Sequence, residues 1–593
     1  MALALPFLFP LVSGPSVAVW QLLVTWLCIG ALAVAAPLGT VGRPLLALMG
    51  GTMLAVVSSA PSEPAVWAPA VGILAMMGLA ACIGAGAAWA QGRQAGWRAL
   101  AHGLLAAGLL SALLGLIQYH GLAGPLRPWA AVPMEGIGMA YGNLRQRNQL
   151  ATLLSLALVA LLWLHVHARP RGRRALLTAA GLLVAGLAAS TSRTGLLQML
   201  AILGGTAALG WRERRLAVLQ EPPRSVGDTV LRAPADVGRP LPIPPHRPAL
   251  PRFPHPAWAL AALALYTALA WLLPWSAVAI ATWQAGAAGG ADVQGMLVRL
   301  REGAPPGHSR WLLWQNVLHL IAERPWTGWG WERLSLAHYL ADYPGPRFVE
   351  ILDNAHNLPL HLAVELGLPA AALICGGFLA RVLAARPWRE RDPLRLMGWA
   401  LLGVLLLHSL LEYPLWYGPF QLVFGLCLGL LWPARRPGRS ADHRSGTAAP
   451  GHADARSSPT PRALAAAAAI LVGTGYAGWH YVRVSQAYLP AAQRLPGWQD
   501  APLARLDGSD WLFARQARFA ALALTPLRPE TAEQVHALAT ASLAFSPEPR
   551  VVLKLIDSAR LLGREAEVRE HVERLRQVYP EAYVKWLAGR PPT

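Results

Sequence analysis

Charged residues are scarce in this chain of 593 residues. They make up 14% of the sequence, whereas hydrophobic residues make up 54% and the mean hydropathy is +0.37. Soluble domains carry roughly 25% charged residues, so the composition excludes a chain built only of soluble domains. Charge-free runs, apart from their end residues, include 43–61, 66–90, 98–119 and 257–282. Because about 20 apolar residues cross a bilayer, the sequence predicts an all-α, polytopic membrane bundle of about 12 or 13 transmembrane helices.

Lysine and cysteine are also rare. Lys554 and Lys585 are the only lysines, so 49 of the 51 basic residues are arginines, and most of the net charge of +20 lies in short connections. This distribution is typical of topology control by cytoplasmic cations rather than of a stripe that follows nucleic acid, so no nucleic-acid partner is expected. The four cysteines lie inside apolar runs without metal-ligand spacing, which argues against a disulfide framework and a zinc site.

Apolar runs predict thirteen membrane segments. They lie near 3–14, 17–37, 43–60, 66–90, 98–120, 147–167, 175–190, 194–211, 257–283, 357–382, 396–412, 415–433 and 463–482. The N-terminus lacks the basic region of a secretory signal, so its short run is expected to be a first membrane segment. Arginine-rich connections alternate with arginine-poor ones, and the arginine-rich ones are expected to face the cytoplasm.

The same segments predict the domain organisation. The predicted parts are a transmembrane domain at 1–433 with a periplasmic loop at 284–356 and a Pro/Arg-rich cytoplasmic insert at 212–256, a cytoplasmic linker at 434–462, a last span at 463–482 and a periplasmic helical domain at 483–593. In the last domain, paired helices broken at Gly563 and Pro580 resemble a tetratricopeptide-like hairpin, although any small helical domain gives this pattern. We expect this domain to contact proteins or to cover the outer face of the membrane domain.

Polar residues at the ends of apolar helices are informative because burying them in a bilayer is costly. Gln146, Arg147 and Asn148 stand at the head of the helix that follows the predicted outer loop 121–146. Helix capping by Asn143 explains part of this pattern. The density of guanidinium and amide groups, however, exceeds what a cap requires and indicates a functional site.

Two arginines lie near the same predicted surface. Arg193 is in the turn between two apolar helices, and Arg310 opens a segment in which Trp311, Trp314 and Leu318 share one helical face. That face predicts a helix on the membrane interface. Arg193 either reaches toward lipid headgroups or holds an anion, because a guanidinium matches two phosphate oxygens at once. Arg310 is either a solvated loop residue or part of the same site.

The mouth of the predicted span 357–382 is crowded with polar residues. They are Asp353, Asn354, His356 and Asn357. His361 follows five residues after His356, and this spacing does not place a metal-binding pair on one helical face. His356 is either a residue of the capping region or a general base, since histidine side chains accept protons near neutral pH. Asp353 could orient its ring.

Glu412 and Tyr413 lie in the next predicted outer turn, where Pro414 separates two spans. Tyr413 is either an ordinary interfacial aromatic or part of the site. All these segments fall on one predicted side of the membrane. Arginines, amides, a histidine and a tyrosine that converge there describe an anion site beside a base, and we expect no metal ion.

Five segments, in this order and spacing, resemble the bacterial O-oligosaccharyltransferases that glycosylate pilin and other exported proteins, within the superfamily of O-antigen ligases and Wzy-type polymerases. They are GNLRQRNQLATLL, STSRTGLL, HSRWLLWQNVLHLIAERPWTGWGW, DNAHNLPLHLAVELG and LLLHSLLEYPLWY. The resemblance covers about 1–435, and the helical tail resembles the C-terminal extension of pilin-type members. It implies transfer of a preassembled glycan from undecaprenyl diphosphate to a Ser or Thr hydroxyl, by a multi-pass inner-membrane enzyme whose active site faces the periplasm.

The resemblance also implies roles for residues. His356, Tyr413 and Gln146, with Gln149 close by, would be catalytic; Arg193, Arg310 and Arg147 would bind the diphosphate; and Asp353, Asn354, Asn357, Asn148 and Glu412 would support them. The expected partners are the lipid-linked donor, an exported pilin-like acceptor and membrane lipids, without a cofactor. Alternatives are ligation to lipid A core, polymerisation of O-antigen and transport of a lipid-linked glycan; a transporter would need charged groups in a cavity open to both sides.

Overall fold

The computed structural model describes residues 3–12, 14–16, 18–60, 64–89, 93–133, 136–220, 253–285, 293, 295–303, 305, 307–434, 460–506 and 511–589. The predicted insert and linker fall largely on 221–252 and 435–459, which lie outside the described residues.

One short helix, α1, and eight longer helices form most of the described part of the first 285 residues. They are α1 (Leu5–Leu8), α2 (Val19–Ala35), α3 (Arg43–Ser59), α4 (Pro64–Trp89), α5 (Arg93–Tyr119), α6 (Arg147–His167), α7 (Pro170–Ser190), α8 (Arg193–Gln220) and α9 (Ala257–Ala285). Four short helices follow, α10 (Met296–Glu302), α11 (Arg310–Glu323), α12 (Leu334–Leu340) and α13 (Leu358–Leu366). We call the side of the bundle that carries α10–α13 the loop side.

The bundle is completed by α14 (Leu368–Ala371), α15 (Gly377–Ala385), α16 (Pro393–Ser409), α17 (Gly418–Leu431) and α18 (Pro461–Ser485). A π-helical turn joins α14 to α15. Within the described residues, eight helical segments are long and apolar enough to cross a membrane, and α2, α3, α16 and α17 are shorter apolar helices. The all-helical, polytopic membrane fold is thus confirmed.

Two predicted spans are wrong in position. The predicted span 3–14 contains only the four-residue helix α1, about 6 Å long at 1.5 Å per residue, which enters the bundle with Phe7 packed against Phe420 and does not cross it. The predicted span 357–382 is divided at Gly367, whose φ is 87°. The helix α13 before Gly367 belongs to the loop-side layer, and the membrane-crossing segment begins at Leu368.

Small residues allow the central helices to approach closely. The helix α6 is almost entirely buried between α5, α7, α8 and α16. In the tightest pair, α4 and α17, a Cβ on Gly429 would lie 1.9 Å from the carbonyl oxygen of Ala81. Small side chains at such crossings are how membrane helices gain packing energy when lipid offers no hydrophobic driving force. This packing holds the helix ends that carry the site.

The loop side has its own hydrophobic core. This core lies over the ends of α3 and α4. It contains Leu313 and Val317 of α11, Leu362 of α13, and Trp331 from the connection between α11 and α12. The segment 325–330 runs against the end of α13, where the backbone N–H of Trp329 donates to the carbonyl of residue 364 at 2.9 Å. This core fixes α11 and α13, whose first residues enter the site.

The C-terminal residues form a stack of antiparallel helices on the loop side. They are α19 (Ala514–Leu524), α20 (Ala532–Leu543), α21 (Pro549–Leu561), α22 (Glu565–Val578) and α23 (Pro580–Ala588). The predicted breaks are present, because Gly563 has a φ of 70° between α21 and α22 and Pro580 opens α23. The stack contacts α12: Tyr339 meets His571 at 3.2 Å, and Arg574 pairs with Asp342 at 2.6 Å.

Candidate active site

Three helices that meet on the loop side begin in the same way. In each case the residue directly before the capping residue has a positive φ angle. These residues are Arg145 before α6 (59°), Thr191 before α8 (49°) and His356 before α13 (49°). This left-handed conformation is uncommon for residues other than glycine, and such residues cluster at functional sites. Each left-handed residue turns the chain sharply into the helix that follows.

The next residue in each turn caps its helix. The caps are Gln146, Ser192 and Asn357, and the side-chain oxygen of each accepts a hydrogen bond from the backbone N–H three residues further on, at 2.7, 3.0 and 3.1 Å. Such caps satisfy backbone donors that the helix leaves unpaired. The prediction that Asn143 caps the helix is wrong: its side chain instead bonds three backbone groups, two in the loop before α6 and one at the end of α1.

The candidate diphosphate ligands occupy equivalent positions. Arg147, Arg193 and Arg310 are the first residues of α6, α8 and α11. A helix N-terminus already carries partial positive charge, so an arginine there adds to the positive potential instead of offsetting it. Three such helix starts on one side of the bundle make a surface that favours an anion.

Glu412 is the centre of the hydrogen-bond network. Its Oε2 lies 2.8 Å from Nδ1 of His356, and its Oε1 accepts from the amide of Asn148 at 3.0 Å and also forms an ion pair with Arg310. The carboxylate is 6% exposed. One buried side chain thus joins residues from α6, α11, the turn before α13 and the turn after α16.

The charge state of Glu412 follows from these contacts. Burial alone would raise the pKa of its carboxyl group, but the hydrogen bond and charge of His356 and the charge of Arg310 hold that pKa below its ordinary value. Interaction with an opposite charge favours the ionised form. Glu412 is therefore a carboxylate at neutral pH, and Nδ1 of His356 carries the proton that it accepts.

His356 is held by both its backbone and its ring. Its backbone N–H donates to Oδ1 of Asn354 at 2.9 Å, which stabilises the left-handed turn. Within the described part of the chain, no hydrogen bond occupies Nε2, while the ring is 17% exposed. Nδ1 of the ring pairs with Glu412 rather than with Asp353, and a role of Asp353 in orienting the ring stays a prediction.

Tyr413 packs directly against the imidazole. Its ring centroid lies 4.9 Å from that of His356, at an interplanar angle of 70°, and its other face lies near Tyr417 at 6.0 Å. Burial raises the pKa of the Tyr413 phenol. The group is a neutral hydroxyl at neutral pH and can donate a hydrogen bond beside the histidine.

Arg193 is connected to this network through its neighbour. Ser192 donates through Oγ to Oδ1 of Asn148 at 2.7 Å, and the amide of Asn148 bonds Glu412. Three consecutive hydrogen bonds therefore lead from the turn before Arg193 to His356. The Arg193 guanidinium itself bonds the carbonyl of Gly303 at 2.9 Å and that of Arg299, at the end of α10.

The structure brings most of the predicted site residues together, some in direct contact and others at the starts of the surrounding helices. His356, Glu412, Arg310, Asn148 and Tyr413 are in direct contact. Gln146 and Asn357 contribute as helix caps, and Asn357 also bonds the carbonyl of residue 410 at 3.0 Å. Arg147 begins α6 and is partly buried. Their roles in a reaction stay predictions.

Sequence reasoning missed Ser192 and Arg299. Ser192 was visible only as part of the STSRT motif, and nothing in the sequence around it reveals its bond to a side chain on α6. Arg299 lies in MLVRLRE, a segment that is part of none of the recognised motifs. Its place beside the Thr191 turn depends on how α10 folds back from α9.

Comparison with known families matches three parts of the chain. Residues 178–375 match a family described as O-antigen ligase, 396–590 match the C-terminal part of a virulence factor membrane-bound polymerase family, and 140–165 match a protein glycosylation ligase family. The fold and the matched segments show a multi-pass membrane protein, parts of which are similar to O-antigen ligases, membrane-bound polymerases and protein glycosylation ligases.

One part of the chain is also similar to a protein named for its activity. A general O-oligosaccharyltransferase of Acinetobacter baylyi (strain ATCC 33305 / BD413 / ADP1) is 31% identical over 140 residues, which is 24% of this chain and 24% of the relative. This part of the chain is therefore similar to a bacterial O-oligosaccharyltransferase, in agreement with the match of residues 140–165 to a protein glycosylation ligase family. The match spans about a quarter of the relative's length.

Proposed function

We propose that this protein transfers a preassembled glycan from undecaprenyl diphosphate to Ser or Thr hydroxyl groups of exported proteins such as pilin. The family relationship supports glycan transfer to proteins in general. The observation that carries the proposal is the network in which Glu412 binds both His356 and Arg310 beside the N-terminus of α6. It combines a base with fixed positive charge, which are the two things this transfer needs.

His356 is the base. Because Nδ1 donates to Glu412, Nε2 accepts the proton of the attacking hydroxyl, a weak nucleophile without such help. The new bond joins the hydroxyl oxygen to the anomeric carbon. The bond from that carbon to the phosphate oxygen breaks at the same time, and the electron pair leaves with the lipid diphosphate. Attack opposite the leaving group inverts the anomeric centre.

The arginines stabilise the leaving group. Negative charge grows on the diphosphate as the glycosidic phosphate bond breaks, and guanidinium groups held in advance stabilise it without reorganising. Arg310 is kept in place by Glu412, and Arg193 and Arg147 begin helices that point at the same region. The ring of Tyr413 packs against the imidazole and closes one side of the site.

The active site faces the periplasm and the protein resides in the bacterial inner membrane. The arginine-rich connections at the opposite ends of the spans support this orientation, and a site confined to one side favours an enzyme over a transporter. Cysteine labelling tests which side of the membrane the loop side faces. Single cysteines are placed at Arg301 and at Asp353 in a chain otherwise free of cysteine. Both should react with an impermeant maleimide in cells whose outer membrane is permeabilised; reaction only after the inner membrane is broken would contradict the orientation.

The activity is tested in cells that make a lipid-linked glycan and a candidate pilin but lack other transferases. Wild type should add the glycan to pilin, as measured by intact mass, and His356→Ala should reduce the modified fraction by at least about 100-fold, the usual contribution of acid–base catalysis. His308→Ala is the matched control, because its ring also binds a carboxylate, Glu350, at 2.7 Å but is 38% exposed. Equal glycosylation by both variants would contradict the proposal.

Polymerisation of glycan repeats is the second candidate, because residues 396–590 match a polymerase family. The donor half of the reaction is the same, and the acceptor is another sugar chain. The same cells distinguish the two: a ladder of lengthened lipid-linked glycan on unmodified pilin would favour the polymerase.

A further inference from the structure

The short helix α10 lies over the turn that carries Arg193. The guanidinium of Arg193 bonds two carbonyls at the C-terminal end of α10, those of Arg299 and Gly303. In return, Nη1 of Arg299 approaches the carbonyl and the hydroxyl of Thr191 at 3.4 and 3.3 Å. The two arginines thus come from distant parts of the chain and meet at one turn.

The contacts that the structure describes for these two arginines leave both positively charged. Among the described residues, no carboxylate pairs with Arg193 or Arg299, and their partners are carbonyl and hydroxyl oxygens. The bonds of Arg299 are at the long end of the range for nitrogen donors, where hydrogen bonds are weak. Charged acceptors form shorter and roughly twofold stronger bonds with a guanidinium. A phosphate oxygen would therefore displace the contacts of Arg299 with a gain in binding energy.

The position of α10 suits a lipid-borne phosphate. It follows the membrane-crossing helix α9, and its apolar residues Leu297, Val298 and Leu300 are 38%, 41% and 49% exposed. An exposed apolar surface directly after a span is expected at the level of the lipid headgroups. An anion carried by a lipid would reach Arg193 and Arg299 at that depth.

We propose that Arg299 is a further ligand of the donor diphosphate, acting with Arg193 on the loop side. The proposal rests on the proposed function and extends it, because it adds a binding residue that none of the recognised segments contains. Arg299 binds the diphosphate in the free donor as well as during transfer, so its loss weakens donor binding more than turnover.

Binding of undecaprenyl diphosphate to the purified full chain in detergent tests this directly. Arg299→Ala and Arg299→Gln should each raise the Kd about tenfold. Glutamine can still donate to Thr191, so it separates charge from support of the turn. Arg301→Ala is the matched control, since Arg301 is an exposed arginine of the same helix. If Arg299→Gln binds like wild type, Arg299 supports the turn and the proposal is overturned.

A second arm separates the donor from ordinary lipid. Undecaprenyl diphosphate binding is repeated in mixed micelles with phosphatidylglycerol. Persistence of the difference between wild type and Arg299→Gln supports a diphosphate ligand. Loss of that difference, with direct phosphatidylglycerol binding that also depends on Arg299, would assign the residue to a phospholipid headgroup and overturn the proposal.

A transfer assay keeps this inference apart from the proposed function. Arg299→Gln should raise the KM for the donor about tenfold with kcat within about twofold of wild type, whereas His356→Ala should lower kcat. A wild-type KM in Arg299→Gln with an inactive His356→Ala refutes the role of Arg299 alone. Full activity in His356→Ala refutes the proposed function instead.

Discussion

Two histidine–glutamate pairs lie close together on the loop side, and their surroundings differ. His356 and Glu412 meet at 2.8 Å, the histidine is 17% exposed, and Arg310 binds the same carboxylate. His361 and Glu365 lie 3.5 Å apart and are 4% and 1% exposed. Within the described part of the chain, Nδ1 of His361 and Oε2 of Glu365 have no hydrogen-bond partner and no arginine or lysine pairs with Glu365.

The difference in surroundings sets opposite charge states. Burial raises the pKa of Glu365 well above its ordinary value, while burial and the nearby His356 lower the pKa of His361 to about 3. Both members of the second pair are neutral near pH 7, whereas Glu412 is ionised. The same two residue types thus build a polar part of the core in one place and a charged site in the other.

The largest expected effect comes from changing one carboxyl group of each pair. Glu412→Gln should lower the rate of glycan transfer by about 100-fold, because a hydrogen bond to a charged group contributes up to about 3 kcal/mol and three partners lose it here. Glu365→Gln should leave the rate within about twofold of wild type, since glutamine has nearly the shape of the protonated carboxyl group. The measurement is the initial rate with purified protein and lipid-linked donor.

Equal losses of rate in the two variants would contradict this difference between the pairs, because they would show that the buried pair also contributes to the reaction. Thermal stability of both proteins in the same detergent serves as the control for folding.

A smaller effect is expected from Asn148→Ala. This change removes the amide that connects Ser192 to Glu412 at 2.7 and 3.0 Å, so the transfer rate should fall about tenfold, the equivalent of about 1.4 kcal/mol. Gln315→Ala, an exposed amide on α11, is the control. A wild-type rate for Asn148→Ala would show that the turn before Arg193 is not coupled to the histidine.

The smallest expected effect is on stability. The contribution of the glutamate to stability changes with pH in opposite directions in the two pairs. Glu412 has a lowered pKa, so its stabilising contribution is present above its unfolded value of 4.5 and is lost as the pH falls through the lowered value. Glu365 has a raised pKa, so its contribution is present below 4.5 and is lost as the pH rises through the raised value. Both directions follow because a pKa that differs between the folded and unfolded states makes the free energy of unfolding depend on pH.

Thermal inactivation in detergent at pH 7 and pH 4 measures both contributions. The advantage of wild type over Glu412→Gln should be on the order of 1 kcal/mol at pH 7, because Arg310 is partly solvated, and should shrink at pH 4. The advantage of wild type over Glu365→Gln should instead grow at pH 4. The same pH trend in both variants would contradict the assigned charge states.

The sequence predicted the apolar helices well because length and hydropathy determine them. The helix Arg147–His167 coincides with its predicted limits, and most others differ by a few residues. Gly367 was not recognised as a break, because its turn depends on contact with the segment 325–330. The short run at 3–14 was apolar enough for a span, but packing inside the bundle made it a short internal helix.

The sequence indicated which residues lie at the site more accurately than which of them contact each other. His356, Arg310 and Tyr413 stood out because polar groups at helix ends are costly near a bilayer. Asp353 was favoured as the partner of the imidazole because it is near in sequence. Glu412, 56 residues away, binds the ring instead, and only the packing of α16 against α6 brings it there.

The role of His356 as the base is tested most directly by the rate of single-turnover glycan transfer. The assay uses proteoliposomes that contain the purified protein, the lipid-linked donor and an acceptor pilin. We predict that His356→Ala slows this step by at least about 100-fold, whereas His308→Ala, which removes an exposed histidine of the same loop, does not. Transfer by His356→Ala at the rate of His308→Ala would contradict it.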